Sequence, residues 1–345
     1  MERRVLRLAA FVLAAGALSS TLGSASPRQP DAANAIHVSL TAGLPTDSPD
    51  PRPVRIFPTT PSPPPSAIPT ATQTVVRPAP AVRAIPLPAI EAHEVALINL
   101  DTGRFLWQSN AHAAWAPASL TKIFTAMVAV DLMGMNATVT VPASIRQLPA
   151  DSTFMGLTPG ERLTVRELLD GVFLASGNDA AETLASAVTS RSAFVADMNA
   201  KAARLGLRAS HFTNPTGLSE AGLYSSAYDL ALAATYLESH YPGLAGIAAT
   251  AALTIPATAT HKTYTLVNIN KLLRTYPGTY GLKTGWTEVA LGCLITASSR
   301  GGHRLLAVLL GAPNGTAYDE MPKVLDYGFE LLGVLPRPAT SVTVP

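Results

Sequence analysis

Ser119-Leu120-Thr121-Lys122 heads a stretch that runs to Leu132 with Ala, Met, Val, Ile and Phe at nearly every position. A helix that is apolar on all sides is a buried one, so this stretch predicts a helix through the interior of its domain. Polar groups at its start are therefore informative. Ser119 and Lys122 lie three apart and project from the same side of the first turn, within reach of an amine–hydroxyl hydrogen bond. A free lysine titrates near about 10.4, but burial and a second cation disfavour its charged form and leave an amine able to accept the serine proton. The helix amino terminus favours negative charge developing at Ser119. The four-residue pattern alone is weak, because a Ser cap followed by a Lys that reaches to water has the same letters. Lysine is rare, however: the chain has six in 345 residues, and another of the six recurs in a second informative position, Lys283.

Downstream, Thr158-Pro159-Gly160-Glu161 forms a turn, and Leu163, Val165, Leu168, Leu169 and Val172-Phe173-Leu174 mark a helix ending near Ala175. Ser176-Gly177-Asn178 then forms a loop before an apolar helix from Asp179 to about Val188. Such a loop by itself reads as a turn and a cap. Beside the first pattern, Ser176 becomes a proton relay, and Asn178 an amide that binds a substrate carbonyl or holds Lys122. Further on, Tyr280-Gly281-Leu282-Lys283-Thr284-Gly285-Trp286 reads as a strand, followed by strands at Leu291 to Ala297 and Leu305 to Leu310, adjacent and antiparallel. Lys283 and Thr284 offer a cation and a hydroxyl to an anionic group, and Gly285 lets a substrate backbone lie along the strand edge. Upstream, Val95 to Leu100, the turn Asp101-Thr102-Gly103 and Arg104 to Trp107 read as a hairpin.

Composition removes several function classes. Net charge is +2 with 14% charged residues, so no basic stripe exists for nucleic acid. The single cysteine, Cys293, cannot form an intrachain disulfide and lies in an apolar run, where a buried strand thiol is expected rather than a nucleophile. The seven histidines are scattered without paired ligand spacing, so neither a metal nor another cofactor is expected.

The first quarter reads differently. Residues 1–25 carry Arg3, Arg4 and Arg7, an apolar stretch from Leu8 to Leu18 and small residues to Ala25, a secretory signal or a retained amino-terminal anchor. Residues 26–90 hold 16 of the 29 prolines and read as an extended, disordered linker. Residues 91–335 are expected to form the catalytic domain, and 336–345 a tail.

Taken together, Pro117-Ala118-Ser119-Leu120-Thr121-Lys122, Ser176-Gly177-Asn178-Asp179-Ala180-Ala181, Phe212-Thr213-Asn214-Pro215-Thr216-Gly217-Leu218, Ala227-Tyr228-Asp229-Leu230, Asn268-Ile269-Asn270-Lys271-Leu272-Leu273 and Gly281-Leu282-Lys283-Thr284-Gly285-Trp286-Thr287 resemble the low-molecular-mass, penicillin-binding D-alanyl-D-alanine carboxypeptidases of peptidase family S11. The resemblance spans about Val95 to Leu332. It implies a β-lactamase/transpeptidase-like α/β fold, an antiparallel sheet flanked by helices and joined to a mainly helical lobe, with the active site in the cleft between.

The roles implied are Ser119 as nucleophile, Lys122 as general base and Ser176 as shuttle with Asn178 beside it. Lys283 and Thr284 would hold the substrate's terminal carboxylate, and the backbone N–H groups of Ser119 and Trp286 would form the oxyanion hole. The implied reaction trims the terminal D-alanine from peptidoglycan stem pentapeptides, the departing D-alanine being protonated through Ser176 and Lys122, with β-lactam antibiotics as acylating inhibitors. The location implied is the bacterial cell envelope outside the cytoplasm, with membrane association only through the amino-terminal segment. Position 286 is Trp where Tyr or Phe is commoner in the family, and Val289-Ala290-Leu291-Gly292 replaces a usual Ala-Gly turn, which touches the pocket rim more than the chemistry. Alternatives are a D,D-endopeptidase of cross-links, a class A-like β-lactamase, which lacks its E-x-x-L-N glutamate here, and a non-catalytic wall-binding protein.

Overall fold

The computed structural model describes residues 85–188 and 190–334. The leader expected at 1–25, nearly all of the spacer expected over 26–90 and the tail at 336–345 lie outside the described residues.

The elements run β1 (Glu94–Asn99), β2 (Arg104–Ser109), α1 (Lys122–Met133), β3 (Thr138–Thr140), β4 (Arg162–Thr164), α2 (Val165–Leu174), α3 (Asn178–Ser186), α4 (Arg191–Arg204) and α5 (Ala227–His240). They continue with α6 (Pro242–Ala248), β5 (Ala252–Ile255), β6 (Tyr264–Val267), α7 (Leu272–Thr275), β7 (Thr279–Thr287), β8 (Leu291–Arg300), β9 (His303–Ala312) and α8 (Ala317–Leu331). Among the described residues, five strands form one antiparallel sheet in the order β2-β1-β9-β8-β7. The expected hairpin and the three expected carboxy-terminal strands are all in it, and β7 is an edge.

Side chains alternate across this sheet. Val95 and Leu97 of β1, with Leu305, Ala307 and Leu309 of β9, pack against Met321, Val324, Leu325 and Phe329 of α8. Ala96 and Ile98, with Leu306, Val308 and Leu310, face the opposite core that contains α1 and α5. Because both faces are covered, the strands read as nearly continuous apolar runs rather than as polar–apolar alternation.

The helical lobe is built around α1, whose Ile123, Phe124, Ala126 and Met127 are wholly buried. Phe124 stacks obliquely on Phe212 at 4.4 Å between ring centres. Two boundaries differ from expectation. Leu163 belongs to β4, paired with Val139, and α2 begins only after Thr164, whose hydroxyl accepts from Glu167 N while Glu167 accepts from Thr164 N. That reciprocal cap fixes the start of the helix. The buried helix at 119 also begins later: Ala118–Thr121 is a 3₁₀ turn and the α-helix starts at Lys122.

Candidate active site

Ser119 sits in that 3₁₀ turn, pressed between two glycines. A Cβ on Gly285 of β7 would lie 3.0 Å from Ser119 N and 3.3 Å from Leu120 N, and one on Gly217 would lie 1.9 Å from Ala118 O. Gly217 has φ +83°, and Ala118 itself has φ +48°, a conformation that costs a residue with a Cβ of the order of 1 kcal/mol. Gly285 does line the cleft, but the space its missing side chain leaves is filled by the serine turn. The expectation that it serves the substrate's backbone therefore omits its nearer role, which is to let the sheet touch the nucleophile's own main chain.

Lys122 Nζ lies 2.7 Å from Ser119 Oγ, 2.7 Å from Asn178 Oδ1 and 2.8 Å from the Thr216 carbonyl oxygen. The lysine is fully buried. Loss of solvation, and next the charge of Lys283, hold its pKa well below the usual lysine value, against smaller opposing effects of Asp179 and Glu182. A neutral amine has two N–H bonds and one lone pair. With the N–H bonds donated to Asn178 and Thr216, the lone pair is left facing the Ser119 hydroxyl.

Each partner is itself fixed. Asn214 Oδ1 accepts from Thr216 N, Thr216 Oγ1 and Gly217 N, a local turn that aims the Thr216 carbonyl at the amine. Thr125, one turn along α1 from Thr121, donates to the Pro215 carbonyl at 2.6 Å and ties the same loop to the helix. Asn178 opens α3. Its neighbour Asp179, wholly buried, accepts from Met155 N, Gly156 N and Leu157 N and so holds the segment before β4 as a wall beside the site. Thr153 in that wall donates through Oγ1 to the Ser176 carbonyl, and its own carbonyl accepts from Asn178 N.

Ser176, buried with φ +55°, receives a hydrogen bond from Lys283 Nζ at 2.8 Å. Lys283 also donates to the Thr284 carbonyl at 2.9 Å, and burial lowers its pKa to about 7. The expected coupling of Ser176 to Lys122 is thus replaced by a bond to Lys283, because the donors of Lys122 go to Asn178 and Thr216. Two lysines approach the site from beneath, each with its own hydroxyl.

A cleft of about 670 Å³ opens above them, lined by Ser119, Ser176, Asn178, Thr284, Gly285 and Trp286 among others. All the expected site residues except Lys122 and Lys283 line it, and those two are buried and bonded to lining serines. Cys293 lies in β8 with its thiol on the Ala116 and Ala290 carbonyls, and burial pushes it up to about 12, so it is no nucleophile at neutral pH. Among the described residues, no group of three or more His, Cys, Asp and Glu is gathered as a metal site. The Thr216 carbonyl, Asn214 and Asp179 escaped the reading of roles from the sequence. The Asn-Pro-Thr-Gly turn was the available signal for the first two.

A family model for Peptidase S11, described as D-alanyl-D-alanine carboxypeptidase, matches residues 81–314. The D-alanyl-D-alanine carboxypeptidase DacF of Bacillus subtilis is 39% identical over 246 residues, covering 70% of this chain and 63% of that one. DacB2 of Mycobacterium tuberculosis is 36% identical over 255 residues, covering 72% and 85%. This chain therefore spans less than two thirds of the Bacillus protein but most of the mycobacterial one. Among solved structures, a D-alanyl-D-alanine carboxypeptidase from Mycobacterium tuberculosis superposes with TM-score 0.67 at 34% identity, over 72% of this chain and 95% of that one. The Streptomyces K15 DD-transpeptidase gives 0.65 at 30% identity, over 71% of this chain and 100% of that one.

Proposed function

Because the chain belongs to the Peptidase S11 family of D-alanyl-D-alanine carboxypeptidases, we propose that it is a serine-type D,D-carboxypeptidase acting on peptidoglycan stem pentapeptides through an acyl-enzyme at Ser119. One observation carries this reading: a buried amine 2.7 Å from the Ser119 hydroxyl, with its N–H bonds already directed at Asn178 and Thr216. That arrangement leaves a base where a nucleophile needs one.

In the proposed reaction, Ser119 Oγ attacks the carbonyl carbon between the last two D-alanines and its proton passes to Lys122. The backbone N–H groups of Ser119 and Trp286 receive the oxyanion. As the C–N bond breaks, the departing D-alanine nitrogen takes a proton from Ser176, which is resupplied by the Lys283 ammonium. Water then attacks the ester, giving its proton through Ser176 to Lys283, while Lys122 returns its proton to Ser119. Both lysines end as they began. Thr284, with the charge of Lys283 beneath it, holds the terminal carboxylate.

We take residues 91–335 as the catalytic domain and the leader-like 1–25 as the export signal or anchor, which puts the enzyme with its substrate outside the cytoplasm. Among the described residues, no helix is long and apolar enough to cross a membrane. A β-lactam offers the same hydroxyl a strained amide and acylates it.

The test is release of D-alanine from a stem pentapeptide by the purified protein, beside Ser119→Ala and beside a cross-linked dimer substrate. The reading expects D-alanine from the pentapeptide, none from the variant, and fluorescent-penicillin labelling of the unaltered protein alone. Cleavage confined to the dimer would make it an endopeptidase. Labelling of the Ser119→Ala variant would remove Ser119 from the mechanism.

A further inference from the structure

The turn between β7 and β8, where Val289-Ala290-Leu291-Gly292 stands in place of a usual Ala-Gly turn, is tied down by side chains from distant parts of the chain. Leu291, which closes it, has φ +57°, a left-handed conformation that Gly or Asn normally takes and that strains a bulky side chain. Such strain persists only where the surroundings over-determine the backbone. Here they act on Ala290, which is wholly buried. Its carbonyl accepts from Trp115 Nε1 at 2.9 Å, and its N–H donates to Thr287 Oγ1 at 3.0 Å. Thr287 Oγ1 also accepts from Ser219 Oγ at 3.1 Å, and Ser219 follows the turn whose Thr216 carbonyl meets Lys122.

Trp115 is itself held on three sides. Its main chain pairs with Ser225 in both directions, at 2.8 and 2.9 Å, and its ring stacks on His93 at 4.1 Å. A Cβ on Gly311 of β9, at φ +71°, would lie 3.0 Å from the indole, so the ring rests directly on that backbone. Trp115 stands four residues before Ser119, and Ala290 four residues after Trp286. Those are the two residues whose N–H groups receive the oxyanion in the proposed reaction. We propose that Trp115 is a positioning residue that sets the spacing of the two oxyanion donors, its indole N–H cross-linking the segments that supply them, with the Thr287 hydroxyl as the second tether of the same turn. The inference deepens the carboxypeptidase reading and rests on it. Trp115 does not line the cleft, so it acts through Ala290 and the end of β7. An oxyanion donor works only within a few tenths of an ångström of its place, and a shift of about 1 Å costs up to about a hundredfold in rate. The contacts of Lys122 to Asn178 and Thr216 involve neither tether, so the base stays as it is.

Trp115→Phe keeps a ring on His93 and Gly311 and removes the indole N–H. Thr287→Val removes the second tether, and Thr287→Ser keeps its hydroxyl. Stopped-flow penicillin acylation is measured per active site, titrated with fluorescent penicillin, so a misfolded fraction drops out. In Trp115→Phe the saturating acylation rate should fall about ten- to thirtyfold, with the dissociation constant of the preceding complex within about twofold of the unaltered enzyme. The pH of the rising limb should not move. A peptide boronate whose boron replaces the scissile carbonyl carbon forms a tetrahedral adduct with an oxygen in the oxyanion position, and its affinity should fall by the same factor as the rate. Thr287→Val should follow Trp115→Phe, and Thr287→Ser should recover most of the loss. Unchanged acylation in both Trp115→Phe and Thr287→Val, a slower rate without the matching loss of boronate affinity, or a shifted pH limb overturns the positioning role while leaving the carboxypeptidase reading standing. Failure of penicillin to label the unaltered protein overturns both.

Discussion

Replacing Lys283 by methionine should stabilise the protein at acidic and neutral pH while disabling it. The side chain is 1% exposed, and burial lowers its pKa from 10.5 to about 7. At about 1.4 kcal/mol per pH unit, holding it charged in the fold costs roughly 5 kcal/mol relative to the unfolded chain. Methionine has similar length and no charge to desolvate. It also leaves Ser176 Oγ and the Thr284 carbonyl without their donor, at about 1 kcal/mol each. The balance at pH 6 is about 2–3 kcal/mol in favour of the variant, or about 5–10 °C in Tm for a domain of this size.

The pH dependence gives the sharper reading. Between about 7 and 10.5 the unfolded chain binds this proton and the folded chain does not, so stability of the unaltered protein rises across that window. The advantage of methionine should therefore be full at pH 6, shrink above pH 7 and vanish by about pH 10.5, where the lost hydrogen bonds leave the variant slightly the weaker. Thermal unfolding at several pH values measures it. A variant no more stable at pH 6, or a Tm difference flat with pH, would refute the claim that a costly buried cation is kept here for chemistry. Penicillin acylation should fall at least about a hundredfold. Removing the Lys283 charge also raises the pKa of Lys122 and moves the acidic limb of the acylation profile upward.

Gly285→Ala drives a Cβ to 3.0 Å from Ser119 N; acylation should drop about tenfold or more while Tm falls by only a few degrees, measured by stopped-flow labelling beside thermal melting. Asp179→Ala strands four backbone N–H groups, those of Met155, Gly156, Leu157 and Ala180; unfolding in denaturant should show a loss of about 2–4 kcal/mol, and KM should rise more than kcat falls. Cys293, buried with its thiol pushed up to about 12, should resist iodoacetamide in the folded protein at pH 8 and react on unfolding, as read by intact mass.

What the sequence disclosed and what it withheld divide along a physical line. Ser119, Lys122, Ser176, Asn178, Lys283 and Thr284, which the fold gathers at one cleft, were legible as candidates because their side chains suit the proposed chemistry and the strands and buried helix around them carry strong local patterns. The Thr216 carbonyl was not, because a main-chain oxygen has no residue signature. Its orientation depends on Asn214, two positions away, and on Thr125 in a different element. Asp179 and Glu94 were equally opaque. Their carboxylates serve backbone N–H groups at Met155 and Ala227, contacts that exist only after folding. The 3₁₀ start at Ala118 is likewise tertiary, since packing against Gly217 and Gly285 overrides the helical preference of the segment. The partner of Ser176 was assigned by analogy to Lys122, and geometry gave it to Lys283.

The central claim is that Lys122 is an uncharged base toward Ser119 at neutral pH. The pre-steady-state rate of penicillin acylation, followed from pH 5 to 10.5 on the unaltered enzyme, tests it most directly. The account requires a rising limb that is complete well below the ordinary lysine pKa of about 10.4, with the rate already near its maximum around neutrality. A rate that keeps climbing tenfold per pH unit up to pH 10 would mean that Lys122 is an ordinary ammonium, and the proton of Ser119 must then leave by another route.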